Sequence, residues 1–348
     1  AAVSPTAPAG RPAARPLRAA NRLPTMSTRV SVMDAIPPGA PRPVPADLLR
    51  WCDACNAPPS ALAPFLPLRV GGADVGLVAP EFAALLAEHG DAFRVTPTGR
   101  GRGVALAPAL EAADADARTA AMHAVFLAMR DAGHITGWRG EPYPVATAFG
   151  APPLALVERA AAPWLGVRSY GVHVNGYVVA DEELAATDPG SGISLWVATR
   201  AATKPTWPGR LDHVVAGGQP AGLSPRANVV KECGEEAGIP PALAAAAVAA
   251  GAVSYEGLAP GGGAKRDVLF VYDLRLPRDF VPTVVDGEVD SFELVPLSAV
   301  AALAAHTDRF KDNVNLVLAD FLLRRGFWEA GAMGYLDLVA GVRRGALQ

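Results

Sequence analysis

Lysine is scarce in this sequence of 348 residues. Lysine and arginine together number 31, yet only four of these are lysines: Lys204, Lys231, Lys265 and Lys311. Because the chain otherwise uses arginine, these four positions in its C-terminal half are places to look for function. The formal net charge is only −3, which excludes binding of nucleic acid through bulk electrostatics.

Cysteine is also scarce. Three cysteines, Cys52, Cys55 and Cys233, are too few for a disulfide framework and indicate a reducing compartment. The Cys52-x-x-Cys55 spacing lacks the second pair that a zinc ribbon needs, and it lies in a predicted helix, so we expect cysteines that only pack. No run of about 18 apolar residues is free of glycine, proline and charge, which predicts no membrane span.

Acidic residues are missing from the first 33 positions, and the first one is Asp34. This segment carries five arginines and is rich in alanine, proline, serine and threonine. Such a composition is typical of an organelle transit peptide rather than a secretory signal. We expect residues 1–45 to be a transit peptide and Pro-rich linker, and we expect a plastid location. A mitochondrion, or the cytoplasm if translation starts at Met26, are the alternatives.

The remaining length is enough for about two domains. Residues 46–165 mix helix and strand signals and form the predicted N-terminal α+β domain, in which no set of residues predicts chemistry. Residues 166–326 form the second predicted domain. A C-terminal tail over residues 327–348 follows it.

Local patterns predict the elements of both domains. In the first domain they predict a long helix over residues 109–132, with Met122 and Phe126 on its apolar side. In the second domain they predict a late helix, Asp312–Arg325, and strands at Tyr170–Val179, Ile193–Thr199, Gly251–Tyr255, Arg266–Asp273 and Val289–Val295. A mixed sheet flanked by helices is the simplest packing for this order.

The segment GGQPAGLSPRANVVKECGEEAGI is the most informative part of the sequence. It predicts a helix that Ser224 caps and Gly238 ends. At about 100° per residue, the carboxylates of Glu232, Glu235 and Glu236 fall within one arc of this helix. Carboxylates this close repel one another, and a divalent metal ion would neutralise them. A solvated acidic face is the other interpretation.

The same segment resembles the Nudix box, G-x5-E-x7-R-E-U-x-E-E-x-G-U, in which U is aliphatic. The matching residues are Gly217, Glu232, Glu235, Glu236, Gly238 and Ile239. Two positions depart from the box, since Lys231 replaces its arginine and Leu223 replaces its first glutamate. The lysine keeps the charge that the family uses to orient glutamates, whereas the leucine removes a peripheral carboxylate.

Other stretches are similar to the Nudix subgroup labelled thiamine-pyrophosphokinase-related. They are the approach WVATRAATKPTWPGRLDHVV and the later KRDVLFVYDL, DGEVDSFELVP and FKDNVNLVLADFLLRRG. The resemblance implies an α/β (α+β mixed sheet) fold, a Nudix α/β/α sandwich preceded by a smaller α+β domain. It also implies hydrolysis of a small organic diphosphate, thiamine diphosphate or its oxidised or damaged forms, to the monophosphate and phosphate. No kinase phosphate loop is present.

The resemblance implies a divalent-metal site on the box. Its ligands would be Glu232, Glu235, Glu236 and the carbonyl of Gly217. The motif would be supported by Gly218, Lys231 and Gly238. The expected cofactor is Mg²⁺ or Mn²⁺, which would neutralise the diphosphate and activate a water molecule.

Candidates for proton abstraction and phosphate binding lie outside the helix. Glu288, in the sequence DGEVD, and Glu235 are the alternatives for the general base. Arg200 and Lys204 end the strand before the box and are candidate substrate ligands, because cations bind phosphate oxygens. A solvated loop is the other interpretation of these two cations.

Other functions stay open beside this hydrolase. They are hydrolysis of a nucleoside diphosphate derivative and a non-catalytic Nudix module that binds a diphosphate. Isopentenyl diphosphate isomerases share the fold, but no cysteine in residues 166–232 matches their catalytic one. The expected partner is a small-molecule diphosphate, and neither nucleic acid nor a membrane. Gating of the site, substrate binding and formation of a homodimer are all open roles for residues 46–165.

Overall fold

The computed structural model describes residues 31–98 and 101–347 of the chain. Most of the predicted transit peptide falls on residues 1–30, which lie outside the described residues. Within the described ranges, no helix is both long enough and apolar enough to cross a membrane.

The N-terminal part of the described chain runs to residue 165. Its elements are α1 (Leu49–Cys55), α2 (Pro59–Leu62), β1 (Leu66–Val70), β2 (Ala73–Val78), α3 (Pro80–Glu88), β3 (Phe93–Thr98), β4 (Gly101–Leu106), α4 (Pro108–Glu111), α5 (Ala115–Asp131), β5 (Pro142–Val145), β6 (Ala155–Glu158) and α6 (Ala162–Leu165). Short 3-10 helices lie at Val32–Ala35, Pro45–Leu48 and Arg159–Ala161.

The C-terminal part follows directly. Its elements are β7 (Arg168–Val179), α7 (Glu182–Thr187), α8 (Pro189–Gly192), β8 (Ile193–Arg200), β9 (Leu211–His213), β10 (Val215–Gly218), α9 (Pro225–Ala237), α10 (Pro241–Ala244), β11 (Val248–Leu258), β12 (Ala264–Arg275), β13 (Val289–Pro296), α11 (Leu297–His306), α12 (Asp312–Arg324) and α13 (Tyr335–Gly341). All five strands and the late helix predicted here are confirmed, although β11 and β12 are longer than expected.

A four-stranded sheet organises the N-terminal part, in the order β2-β1-β4-β3. Strands β1 and β4 are parallel, and the other neighbours are antiparallel. The long helix predicted over residues 109–132 is divided into α4 and α5, because Asp114 accepts a hydrogen bond from the Ala117 N–H (2.8 Å) and starts a new helix. Met122 and Phe126 are fully buried on α5, as predicted.

A seven-stranded mixed sheet organises the C-terminal part. Its main order is β11-β12-β7-β8-β13, with β10 pairing with β7 and β9 pairing with β8. Strands β7 and β12 are parallel, and all other pairs are antiparallel. The short strands β9 and β10 carry the chain from the centre of the sheet towards α9.

Helices cover both faces of this sheet. On one face, Val229 and Cys233 of α9 pack with Val172 of β7. On the other face, Val317 of α12 packs in a separate core with Leu269 of β12. Side chains on a strand point alternately to the two faces, so one sheet supplies both cores. The expected α/β/α sandwich, preceded by an α+β region, is confirmed.

Helix α1 precedes the N-terminal sheet in sequence but packs in the core of the sandwich. Its Trp51 is 6% exposed, and the indole N–H donates to the Ala304 carbonyl of α11 (2.7 Å). Cys52 and Cys55 are unpaired and buried in this core. Burial raises the pKa of Cys52 to about 11 and that of Cys55 to about 12, so both are inert thiols. The prediction of packing cysteines is confirmed.

The hairpin formed by β5 and β6 lies against the loop between β10 and α9. The Ala221 N–H of that loop donates to the Pro142 carbonyl of β5 (3.0 Å). In the loop between β5 and β6, Phe149 contacts Tyr170 and Phe270 edge-on, with ring centroids 4.8 and 4.7 Å away. These contacts bring the N-terminal part up to the box segment.

Candidate functional site

Helix α9 begins and ends at the residues that its sequence predicts. The Ser224 side chain accepts a hydrogen bond from the Ala227 N–H (3.2 Å), and Pro225 occupies the first helical turn. The helix ends at Gly238, whose φ of 61° lies in the left-handed region that favours glycine. These local signals fix the rotation of the helix and therefore the direction of its carboxylates.

The box glutamates face a cleft at the end of β10. Glu236 is buried, and its carboxylate accepts a hydrogen bond from the Ala216 N–H (3.0 Å). The Glu232 side chain lies directly against the Cα of Gly217, where any Cβ would collide with it. Glycine at this position therefore allows strand and helix to approach closely.

Burial raises the pKa of two of these carboxyl groups. The pKa of Glu236 lies well above its usual value, because burial and the charges of Glu232 and Asp212 outweigh its hydrogen bond. Burial also raises the pKa of Glu232, against the opposing effect of Lys231. The helix thus presents carboxylates that lack sufficient counter-charge from the protein.

Lys231 pairs with two of the glutamates. Its ammonium lies 3.2 Å from Glu232 Oε1 and 2.6 Å from Glu235 Oε2. The structure therefore brings Glu232, Glu235 and Glu236 to one cleft without gathering their oxygens around a single point. A metal ion would compete with Lys231 for two of them.

Glu288 reaches the same cleft from the loop before β13. Its carboxylate pairs with the Lys204 ammonium at 2.5 Å, and its carbonyl accepts from the Ala201 N–H (2.9 Å). Burial alone would raise the pKa of Glu288, but Lys204 and Arg200 outweigh it and lower that pKa. Glu288 is therefore ionised at neutral pH, with its side chain 47% exposed.

Arg200 lies at the end of β8 and is mostly buried. Its guanidinium donates to Asp212 (2.9 Å) and to the carbonyls of Thr206 (2.9 Å) and Trp207 (3.1 Å). These bonds hold the loop between β8 and β9, in which Trp207 has a positive φ of 55°. Arg200 shapes this loop, while Lys204 projects from it to Glu288.

The cleft has two adjoining compartments. The carboxylate compartment has a volume of about 310 Å³ and is lined by the box glutamates together with Glu288, Arg200, Lys204 and Lys231. The aromatic compartment has a volume of about 300 Å³, and its lining includes Tyr143, Tyr170, Trp207, Lys265 and Asp267. The residues that line both include Gly217, Gly218, Arg159 and Lys311. All four lysines of the chain therefore border this cleft.

Several lining residues come from the N-terminal part, where the sequence predicts no chemistry. Those with polar side chains are Arg139, Glu141, Tyr143 and Arg159. The backbone N–H groups of Arg139 (2.8 Å) and Glu141 (3.1 Å) donate to the buried carboxylate of Glu158, which fixes this segment. No sequence signal identifies these residues, because only the docking of the hairpin brings them to the box.

A second polar cluster lies beneath the cleft. His173, Asp212 and His213 are buried, with potential ligand atoms all within 4.8 Å of one another. The Nδ1 atoms of the two histidines are 3.0 Å apart, so one donates its proton to the other. Asp212 is already neutralised by Arg200 (2.9 Å) and faces Lys311 (3.9 Å). These two cations make the cluster a poor site for a metal ion.

The box offers the better donor set for a divalent cation. Its candidate ligands are carboxylate and carbonyl oxygens, which Mg²⁺ and Mn²⁺ prefer. The buried Glu236 carboxylate has one backbone donor and a raised pKa, so a cation would supply the counter-charge that it lacks. The side chains present fit such an ion.

Comparison with known families assigns both parts of the chain. The family model for the NUDIX domain matches residues 170–314. Residues 47–169 match the model described as a domain of unknown function, DUF4743.

Curated relatives extend across both parts. The chain is 43% identical over 293 residues to Nudix hydrolase 20, chloroplastic, of Arabidopsis thaliana, covering 83% of this chain and 75% of that protein. It is 43% identical over 297 residues to Nudix hydrolase 24, chloroplastic, of the same plant, covering 85% and 78%. An uncharacterized protein of Saccharomyces cerevisiae is 36% identical over 223 residues, covering 60% and 62%. The chain therefore belongs to the Nudix hydrolase family, enzymes that hydrolyse diphosphate linkages with divalent metal ions.

Proposed function

We propose that this enzyme hydrolyses the diphosphate of a small heterocyclic compound similar to thiamine diphosphate, releasing the monophosphate and phosphate. The observation that carries the proposal is the adjacency of the two compartments of the cleft. A diphosphate would occupy the carboxylate compartment, and a flat ring would stack in the aromatic compartment beside Tyr170 or Trp207. The subgroup resemblance of the sequence supports the same substrate class.

In this proposal the metal ligands are Glu232, Glu235, Glu236 and the Gly217 carbonyl. When bound, Mg²⁺ or Mn²⁺ neutralises the diphosphate and lowers the pKa of the attacking water. Lys231 holds Glu232 and Glu235 in the absence of the ion, which limits repulsion among the carboxylates. Gly218 and Gly238 support the motif from its two ends.

Glu288 is the favoured general base. It is ionised, and its partly exposed carboxylate lies in the same compartment as the box glutamates. Lys204 keeps it charged until it accepts the proton of the attacking water. Glu235, which is 52% exposed and pairs with Lys231, is the competing candidate.

Arg200 and Lys204 serve as substrate ligands in this proposal. Both line the carboxylate compartment, and cations there offset the charge of the diphosphate. Lys204 would share its ammonium between Glu288 and a phosphate oxygen. The names of the Arabidopsis relatives support a plastid location for the activity.

A metal-supplemented hydrolysis screen tests the proposal. Thiamine diphosphate and its oxidised analogues are compared with ADP-ribose, NADH and nucleoside diphosphate sugars, with release of phosphate and monophosphate measured. The Glu236→Gln variant should lose about a hundredfold or more in turnover while it stays folded. Glu183→Gln, which changes an exposed glutamate of α7, is the matched control and should keep full activity.

Three outcomes would contradict parts of the proposal. If a nucleotide substrate is preferred over every thiamine compound, the proposed substrate class is wrong. Unchanged turnover in Glu236→Gln would remove that residue from the site, and binding without turnover across the whole panel would favour a diphosphate-binding module.

A further inference from the structure

We propose that Arg159, from the domain of unknown function, binds a phosphate of the diphosphate substrate, so that the N-terminal part completes the active site. This inference rests on the proposed hydrolysis of a diphosphate in the cleft. It gives residues 46–165 a defined role, that of binding substrate.

Arg159 occupies the junction of the two compartments. Its side chain lines both of them, as does that of Lys311. Lys311 is directed to the buried Asp212, whereas the side chain of Arg159 is 37% exposed. A diphosphate that joins a ring in one compartment to the carboxylates in the other must pass this junction. Arg159 is the more accessible cation at that point.

The position of Arg159 is tied to the box itself. A Cβ on Gly218 would collide with the Tyr143 hydroxyl and would lie 3.0 Å from Arg159 Nη1. The guanidinium therefore packs directly over Gly218, the residue that follows the first glycine of the box. This glycine lets the hairpin approach, just as Gly217 lets Glu232 approach.

The wall of the cleft that carries Arg159, residues 139–160, is held by hydrogen bonds at both ends. The Pro142 carbonyl of β5 accepts from the Ala221 N–H in the box loop, at 3.0 Å. The Glu158 carboxylate accepts from the backbone N–H groups of Arg139, Glu141 and Ala160, at 2.8, 3.1 and 3.3 Å. A site built on fixed elements holds its groups precisely, as phosphate recognition requires.

The guanidinium keeps donors available for a ligand. Its Nη1 donates to Glu141 Oε2 at 2.8 Å, which is its only side-chain hydrogen bond within residues 31–98 and 101–347. A guanidinium has five N–H donors in a planar fork that matches phosphate oxygens. The bond to Glu141 thus uses one N–H and leaves the rest of the fork for the substrate.

The test measures binding and turnover separately. Arg159→Gln should raise the Kd of methylenediphosphonate, a diphosphate that cannot be hydrolysed, about tenfold or more in calorimetric titrations with Mg²⁺. KM for the hydrolysed substrate should rise by a similar factor, with kcat changed less. Arg159→Lys, which keeps the charge but loses the fork, should give a smaller increase of about threefold or more. Arg94→Gln, an exposed arginine of β3, is the matched control and should leave Kd and KM unchanged.

Glu141→Gln distinguishes substrate binding from a purely structural ion pair. If Arg159 only supports the wall through Glu141, this variant should weaken binding as Arg159→Gln does. If Arg159 binds phosphate, it should leave the affinity unchanged or increase it, because a negative charge is removed. Unchanged Kd and KM in Arg159→Gln and Arg159→Lys would also overturn the inference. If Glu236→Gln abolishes turnover while both Arg159 variants bind normally, the inference about Arg159 fails and the proposed function stands. If the wild type binds tightly without turnover, only the proposed function is contradicted.

Discussion

His213 shows how burial under the cleft sets the charge of a single residue. Burial lowers its pKa from 6.5 to about 4, with Asp212 opposing this effect and Lys311 reinforcing it. Its Nε2 is buried without a hydrogen-bond partner among the described residues, so a proton there would be costly. His173 has a lowered pKa for the same main reason, and the pair is neutral at physiological pH.

This predicts a pH-dependent stability that His213 controls. Below pH 6.5 the unfolded chain binds a proton at this histidine and the folded chain does not. Stability is therefore lost as the pH falls from 6.5 towards about 4, by about 1.4 kcal/mol per pH unit. His213→Gln should be less stable than the wild type at pH 7, with a deficit that shrinks by about 2 kcal/mol at pH 5. Urea unfolding at the two pH values measures this difference.

The stability of the wild type must be compared with that of His213→Gln, because other titratable groups change stability with pH in the opposite direction. Because the pKa of Glu236 is raised in the folded protein, its contribution to folding stability is lost as the pH rises above 4.5. That effect is common to both proteins and cancels in the difference between them. A deficit that stays the same at pH 5 and pH 7 would contradict the assignment to His213.

The close contact between strand β10 and helix α9 depends on one glycine, Gly217. A Cβ at Gly217 would lie 2.6 Å from Cγ and 2.7 Å from Oε1 of Glu232. Gly217→Ala should therefore displace the Glu232 carboxylate and lower turnover about tenfold or more, with a smaller effect on Tm. Gly234→Ala, on α9 with open space around the added methyl, is the control. It should raise stability by about 0.5–1 kcal/mol and keep activity.

Helix α9 was predictable because its signals are local. A capping serine, a proline in the first turn and a closing glycine act through neighbouring backbone, so the sequence shows them without knowledge of the fold. Strands β3 and β4 were not predicted. Their segments, FRVTPT and GRGVAL, contain proline and glycine and alternate poorly, and their pairing is what stabilises them.

The residues of the candidate site also fall into those that local sequence patterns predict and those that depend on tertiary packing. The three box glutamates share one helix face, so helical periodicity places them together. Tyr143 and Arg159 reach the cleft through a hairpin that docks on a loop nearly 80 residues away in sequence. Such a contact depends on tertiary packing that no local pattern records. Aromatic residues show the same limit, because Trp207 lines the cleft and Tyr255 is buried in the core, and no local pattern separates the two.

At the scale of the whole molecule, the chain crosses between its two parts more than once. Helix α1, at the start of the N-terminal part, fills the core between the mixed sheet and α11. Helix α13, in the predicted tail, lies beside it, and a Cβ at Gly341 would come within 2.6 Å of Cys52 Sγ. After the four strands of the N-terminal sheet, the hairpin formed by β5 and β6 brings the chain back to the cleft. We infer that the sandwich depends on residues from both ends of the chain.

This arrangement predicts that damage to α1 lowers the stability of the active site. Trp51→Ala removes a buried indole and its hydrogen bond to Ala304, at a cost of about 3–5 kcal/mol. Hydrolase activity and far-UV circular dichroism, followed in parallel through urea unfolding, should both shift to lower midpoints in this variant. The control is Leu336→Ala, which shortens a side chain that is 77% exposed on the neighbouring α13. By either measurement, this variant should change the free energy of unfolding by no more than about 0.5 kcal/mol. If the activity midpoint stays in place while only part of the dichroism shifts, α1 is dispensable for the sandwich. The coincident shift is expected because Trp51 shares one core with β12 and α12, the elements that border the cleft from below.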